Sequence, residues 1–215
     1  MYNINKLLSL ALFAVIFLVS CSTNTTYIYR NDTVVNYVIK QGKPLPPKEW
    51  HCYNVEEEKI CIPSSWRFVN QNRFFFLAKP PVLDSQSFVV VLKYNIKATG
   101  LTVNKYLRET YLQLRNDTIE KFNGYTTLKM VYSNKEAYNS EYHTTIKNKP
   151  YTTFSTVFEK DSILFEIALK AEKSQSAKYQ QLYQDIVFNF YTKNKLVFTV
   201  KDKVNQTHEV DLSKL

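Results

Sequence analysis

Glycine is scarce in this sequence, with only Gly42, Gly100 and Gly124 among 215 residues. A P-loop, a dinucleotide-binding fingerprint and a nucleophile elbow each need clustered glycines, because the backbone must approach a phosphate closely or turn sharply. Three isolated glycines therefore exclude these enzyme classes.

Histidine and cysteine are also rare, with three of each, and they form no HExxH or CxxC pattern. We therefore predict no metal site and no cofactor. His143 and Glu141 could act as a general base and its orienting residue, and Asp161 is a third candidate for catalysis. Alternate residues on an exposed strand explain the Glu141 and His143 spacing more simply, so we predict no catalytic residue.

Acidic residues are outnumbered, since 28 Lys and Arg stand against 19 Asp and Glu and give a formal net charge of +9. The positive charges are scattered, without a run of five or six like charges and without a basic stripe. This distribution is typical of a solvated basic surface. We therefore predict no nucleic-acid partner.

The N-terminus carries an apolar run over residues 7–19 that only Ser9 interrupts. The run is shorter than the roughly 20 apolar residues of a membrane-spanning helix and fits the apolar region of a signal peptide. The residues at its end resemble the lipobox of bacterial lipoproteins: Leu18, Val19, Ser20 and Cys21. The resemblance implies a signal peptide over residues 1–20, cleavage before Cys21 and lipid on its thiol. An accidental cysteine in an ordinary signal peptide is the alternative.

The residues after the cysteine bear on location. Ser22 rather than an aspartate follows Cys21, and no acidic residue occurs before Asp32. By resemblance to lipoproteins of diderm bacteria, this favours the outer membrane and a position facing the periplasm. We predict a lipidated tether over residues 21–49, which ends in a proline-rich stretch that cannot form regular hydrogen bonds.

Cys52 and Cys61 are the other two thiols, and each lies in a short apolar run on one side of a charged turn. A hairpin that turns between Glu56 and Glu57 places the two cysteines directly opposite each other. In an exported protein such a pair is more often a disulfide than a nucleophile. Two reduced, buried cysteines are the alternative, because the turn register is assumed.

Apolar residues within 87–96 fill one face of an extended segment and part of the other, which predicts a central strand. Thr102 is expected to cap a helix that ends near Asn116 and presents apolar residues at three- and four-residue steps. Four further strands should then form a meander. Their predicted ranges are residues 125–133, 142–147, 151–158 and 163–170.

A second helix is predicted from near Ser174, and its apolar residues recur at helical spacing. From Val187 to Tyr191 we expect a return to extended structure. Residues 195–204 are expected to add an edge strand. Trp50 and Trp66 are expected to pack in the core rather than form a ligand platform.

This order of elements resembles the PsbP-like fold of photosystem assembly factors and DcrB-type lipoproteins, over roughly residues 52–190. The resemblance implies an α+β fold in which an antiparallel sheet is flanked by two main helices. We assign that domain to residues 50–191 and a C-terminal extension to residues 192–215. Members of the group are mostly non-catalytic binding or assembly factors. The resemblance assigns no functional residue to this sequence, because the sequence has no motif that matches one of the group.

The sequence thus favours a membrane-anchored, non-catalytic binding or assembly module of the cell envelope. Its expected partners are the lipid bilayer, through acyl chains on Cys21, and an acidic envelope protein or polymer that suits the basic excess. An envelope hydrolase with a dispersed active site is the alternative.

Overall fold

A computed structural model describes residues 49–69, 74–81, 86–132, 135–198 and 204–215. The predicted signal peptide, Cys21 and the tether up to Lys48 lie outside these ranges. The strands are β1 Trp50–Val55, β2 Glu58–Pro63, β3 Arg67–Phe68, β4 Phe76–Lys79, β5 Phe88–Asn95, β6 Lys121–Tyr132, β7 Lys135–Ile146, β8 Lys149–Lys160, β9 Ile163–Glu172, β10 Phe190–Thr192, β11 Lys195–Leu196 and β12 Val204–Glu209. The α-helices are α1 Ile96–Thr99, α2 Val103–Asn116 and α3 Ser176–Phe188, with 3₁₀ helices at Lys173–Gln175 and Leu212–Lys214.

The strands form two antiparallel sheets rather than the single sheet that we predicted. Eight strands follow the order β12-β6-β7-β8-β9-β5-β4-β3, and four follow the order β1-β2-β10-β11. The described fold is therefore mixed α+β, as predicted, but it contains three α-helices instead of two.

The predicted meander is confirmed as β6 to β9, and its strands are longer than the sequence indicated. Two-residue turns at 147–148 and 161–162 connect its last three strands, and all four residues have positive φ. Both central residues of a type I′ turn need positive φ, which Asn and Asp tolerate better than most residues. β7 begins at Lys135, seven residues before the predicted start at Tyr142.

β5 is an interior strand of the large sheet, as predicted, because β9 and β4 pair with its two edges. Val89 and Val91 face a core shared with α3 and the small sheet, whereas Val90 and Leu92 face a second core beneath α2. The large sheet is thus covered on both faces. This explains why apolar residues occupy both sides of β5.

The predicted helix after Thr102 is confirmed as α2, and the Thr102 hydroxyl accepts a hydrogen bond from the Lys105 backbone N–H at 3.2 Å. The prediction of extended structure from Val187 is wrong, because α3 continues through Phe188. Burial of Ile186 and Val187 on the helix against the core explains this outcome, since apolar residues suit either structure when they are covered.

The C-terminal segment packs onto the same fold. Val197 and Phe198 enter the core beside α3, and Leu212 lies fully buried in the core beneath α2. The edge strand that we predicted over residues 195–204 is confirmed only in its first two residues, because β11 lies at the edge of the small sheet. Residues 199–203 of that range lie outside the described residues. The large sheet ends in β12, which pairs with β6.

Candidate functional site

The predicted lipidation site, Cys21, lies outside the described residues. Within the described part of the chain, no helix combines the length and apolar character needed to cross a membrane.

The hairpin predicted around Cys52 and Cys61 is formed by β1 and β2, and the register pairs these two cysteines directly. A disulfide joins them, with their Cα atoms 4.0 Å apart. The hairpin is also tied to the large sheet, because Lys93 Nζ on β5 lies 2.6 Å from Glu56 Oε2 and 2.8 Å from Glu58 Oε2. The disulfide thus links β1 to β2, and Lys93 links this hairpin to the large sheet.

Glu141 and His143 share one face of β7, and His143 Nε2 lies 3.7 Å from Glu141 Oε1. Both side chains are half-buried rather than exposed as we predicted. Burial raises the pKa of Glu141, and nearby Lys173 partly opposes this shift. Burial and the positive charge of Lys173 both lower the pKa of His143. At this distance the imidazole and the carboxyl are too far apart for a hydrogen bond.

Asp161 does not join this pair. It lies in the turn after β8 and forms an exposed ion pair with Lys193 at 3.2 Å. His143 is opposite Thr152, whereas Asp161 follows Lys160, eight residues further along β8. Eight residues of a strand span about 26 Å. The three catalytic candidates of the hydrolase alternative therefore do not converge.

A buried polar network that the sequence analysis missed lies between α2 and the large sheet. Glu166, on β9, is 5% exposed. Tyr106 of α2 donates a hydrogen bond to Glu166 Oε2 at 2.5 Å, and Ser155 of β8 donates to Glu166 Oε1 at 2.5 Å. The signal in the sequence was an acidic residue, Glu166, that stands between apolar residues of β9.

Burial raises the pKa of Glu166, although the two hydroxyl donors oppose the shift. Burial also raises the pKa of three surrounding phenols, and the negative charge of Glu166 adds to the effect: Tyr94, Tyr106 and Tyr142. Both carboxyl oxygens are occupied by side chains of the chain itself. The network is therefore suited to clamp α2 on the sheet rather than to act on an outside molecule.

A second buried charged contact lies near the end of α2. Lys170 Nζ, on β9, is 3.4 Å from Glu120 Oε1, and both side chains are almost fully buried. Lys170 also lies 4.8 Å from the centre of the Tyr151 ring. Removal of either partner would leave an uncompensated charge in the core, so such a pair is costly to break.

Within the described ranges, no three His, Cys, Asp or Glu side chains lie together as ligands of a metal site. The polar groups around Glu166 are enclosed, and Glu141 and His143 are separated by more than a hydrogen bond. The Ser155 hydroxyl does lie beside the Glu166 carboxyl, but both side chains are almost fully buried. Neither group therefore presents an accessible nucleophile beside a base, which is the geometry that hydrolysis needs.

No protein-family model and no curated protein matches this chain. Among solved structures, it is similar to cyanobacterial PsbP (CyanoP) from Synechocystis sp. PCC 6803, with a TM-score of 0.52 and 11% identity over 67% of this chain and 92% of that chain.

Two further solved structures are less similar to this chain. A crystal structure from Bacteroides thetaiotaomicron VPI-5482 has a TM-score of 0.42 and 14% identity, over 71% of this chain and 48% of that chain. LpqN of Mycobacterium tuberculosis, involved in cell envelope biogenesis, has a TM-score of 0.40 and 10% identity, over 72% and 83%. The similarity to CyanoP concerns the fold alone, and on it we conclude that the chain has a PsbP-like fold.

Proposed function

We propose that the chain is a bacterial lipoprotein of the outer membrane, anchored through acyl chains on Cys21 and facing the periplasm. Its folded part acts as a non-catalytic binding or assembly module of the cell envelope. The observation that carries the proposal is the use of cysteine. One cysteine ends an apolar leader in a lipobox-like sequence, and the other two form a disulfide in the first hairpin of the fold.

Both uses of cysteine belong outside the cytoplasm. Disulfides persist in oxidising compartments, and lipid modification of a leader cysteine accompanies export. Two or three acyl chains hold a protein stably at a bilayer, whereas one chain binds only marginally. The lipid bilayer is therefore one proposed partner, and an acidic envelope protein or polymer is the other because the chain is basic.

The geometry of the titratable groups favours a binding module over a hydrolase. Asp161 lies far along the sheet from His143, and the carboxyl of Glu166 accepts its hydrogen bonds from within the fold. A module needs only a rigid surface and an anchor. The covered eight-stranded sheet supports the first requirement.

The anchor is tested by replacing Cys21 with Ser in cells that are fed labelled palmitate. We expect the Cys21→Ser variant to lose the label and its partition into detergent. The matched control is the double variant Cys52→Ser/Cys61→Ser, which changes cysteine to serine in the hairpin and should keep the label. A Cys21→Ser variant that still carries palmitate would show that the anchor is wrong.

The module is tested by crosslinking the anchored protein in native membranes and identifying what it captures. We expect a defined envelope partner, captured equally by the wild type and by a Glu141→Gln/His143→Asn variant. Turnover of an envelope polymer by the purified protein that this double variant abolishes would establish the hydrolase instead.

A further inference from the structure

The outer surface of α2 gathers positive charges that are separated in the sequence. Lys105, Arg108, Leu112 and Arg115 are all exposed, and the steps between them are three, four and three residues. Residues at these steps lie on one face of a helix. Since a helix rises about 1.5 Å per residue, the three charges span about 15 Å along α2. The linear sequence shows no run of charges here.

Acidic groups do not cancel this charge. Glu109 is the one acidic residue within α2, and it is half-buried. Asp117, which ends the helix, is also half-buried and accepts hydrogen bonds from the backbone N–H groups of Ile119 at 2.7 Å and Glu120 at 2.9 Å. Within the described residues, the side chains of Lys105, Arg108 and Arg115 form no ion pair.

The cationic face and the turn that follows it carry apolar side chains that the fold leaves in solvent. Leu112 is 40% exposed and Ile119 is 68% exposed, and these are the two large hydrophobic side chains that stand out as exposed in the described part of the chain. Both belong to the C-terminal end of α2 and the turn that follows. The opposite face of α2 is buried under the large sheet, so the surface is held rigidly.

We propose that the cationic face of α2, formed by Lys105, Arg108, Leu112 and Arg115, docks together with the following turn that carries Ile119 onto a bilayer surface that contains anionic phospholipid. This inference rests on the proposed function, because the anchor at Cys21 supplies the bilayer. Lys and Arg near a membrane are attracted to anionic headgroups, and apolar side chains between them insert at the boundary of the acyl chains. An acidic, hydrated polymer would pair with the charges but would leave Leu112 and Ile119 uncovered.

The chain length permits the contact. Residues 22–48 comprise 27 residues between the lipidation site and the described fold. Fully extended, 27 residues reach about 90 Å. A domain of this size has a radius of gyration of about 15 Å, so the length of chain allows any face to reach the bilayer.

The experiment uses the chain from Cys21 to Leu215, which retains every described residue, with the Cys21 thiol coupled to a maleimide phospholipid in preformed vesicles. Cys21 is the one thiol outside the hairpin disulfide. Leu112→Trp reports on the cationic face through quenching by brominated lipid. The matched control is Ala177→Trp, at an exposed position of α3. The unsubstituted chain corrects for the two native tryptophans.

We expect quenching of Leu112→Trp in vesicles of equal parts phosphatidylcholine and phosphatidylglycerol, and little quenching in phosphatidylcholine alone. Ala177→Trp should be unquenched in both. Since one charge near an anionic surface changes the equilibrium about fivefold, Arg108→Gln/Arg115→Gln should weaken docking about 25-fold. If Leu112→Trp lowers the thermal stability of the chain, Ile119→Trp in the turn is the second reporter.

Equal quenching of Leu112→Trp and Ala177→Trp, or quenching that does not depend on phosphatidylglycerol, would overturn the docking proposal and leave an acidic protein or polymer as the partner. The chemical coupling replaces natural lipidation, so this result stands whether or not Cys21 is lipidated in cells. Conversely, Arg108→Gln/Arg115→Gln should retain labelled palmitate in cells. The two proposals therefore fail separately.

Discussion

Removal of the Tyr106 hydroxyl is expected to destabilise the protein by an amount that depends on pH. Tyr106→Phe keeps the buried ring and deletes the hydrogen bond that Tyr106 donates to Glu166 at 2.5 Å. A hydrogen bond to a charged group contributes about 1.5–3 kcal/mol to stability, whereas a neutral pair contributes about 0.5–1.5 kcal/mol. The cost of Tyr106→Phe should therefore be about 1–1.5 kcal/mol larger when Glu166 is ionised.

The direction of the pH dependence follows from the pKa of Glu166, which burial raises in the folded state. The folded protein then binds this proton more tightly than the unfolded chain. The contribution of Glu166 to stability is complete below the unfolded pKa of about 4.3 and is lost as pH rises through the folded pKa. Tyr106→Phe removes a donor that favours the carboxylate, so it should steepen the loss. Burial also raises the pKa of Tyr106, which keeps its phenol protonated.

Urea unfolding followed by far-UV circular dichroism, at about pH 4 and about pH 8, measures the effect of Tyr106→Phe on the free energy of unfolding. Because wild type and variant are compared at each pH, contributions from distant titrating groups cancel. Glu166→Gln is the control background, in which Tyr106→Phe should cost about 0.5–1.5 kcal/mol at both pH values. A cost that is equal at both pH values in the wild-type background, or a pH dependence that persists with Gln at position 166, would refute the reasoning.

Three other changes test the fold. Cys52→Ala/Cys61→Ala should lower the free energy of unfolding by about 2–3 kcal/mol under non-reducing conditions, because the disulfide closes a loop of about ten residues in the unfolded chain; an unchanged urea midpoint would contradict this. Phe158→Ala should cost about 3–5 kcal/mol by the same assay, since the ring is 2% exposed and packs against three other phenylalanine rings; a cost below 1 kcal/mol would mean that the site collapses. Thr102→Ala should cost about 1 kcal/mol by removing the cap of α2, and Thr102→Ser should restore most of it.

Several features followed from the sequence by itself, because they depend on neighbours a few residues apart. The apolar pattern of residues 88–95 identified an interior strand, and the three- and four-residue steps after Thr102 identified α2. The opposition of Cys52 and Cys61 followed from one assumed turn between two short apolar runs. In each case the local hydrogen bonds and the buried face lie within one element or one hairpin. Most of the interactions that stabilise the element can therefore be inferred from the pattern of its residues.

The first half of β7 could not be predicted from its local sequence. Residues 135–141 contain Lys, Glu, Asn and Ser, which have weak strand preference, and we expected no strand there. Pairing with β6 on one side and β8 on the other makes the segment extended, because both neighbours supply backbone hydrogen bonds along its length. Strand preference depends on such surroundings more than on the residues themselves. Similarly, the core contacts of Val187 keep it helical although its sequence suits a strand.

The tertiary structure alone decided which polar groups meet. Glu166 acquires its partners from Ser155, 11 residues away, and from Tyr106, 60 residues away, because β8 pairs with β9 and α2 packs on one face of the sheet. The same folding separates Asp161 from His143 and turns α2 so that Arg108 and Arg115 lie on its exposed side. A sequence pattern records the periodicity of each element, whereas the contacts between elements depend on how their faces are brought together.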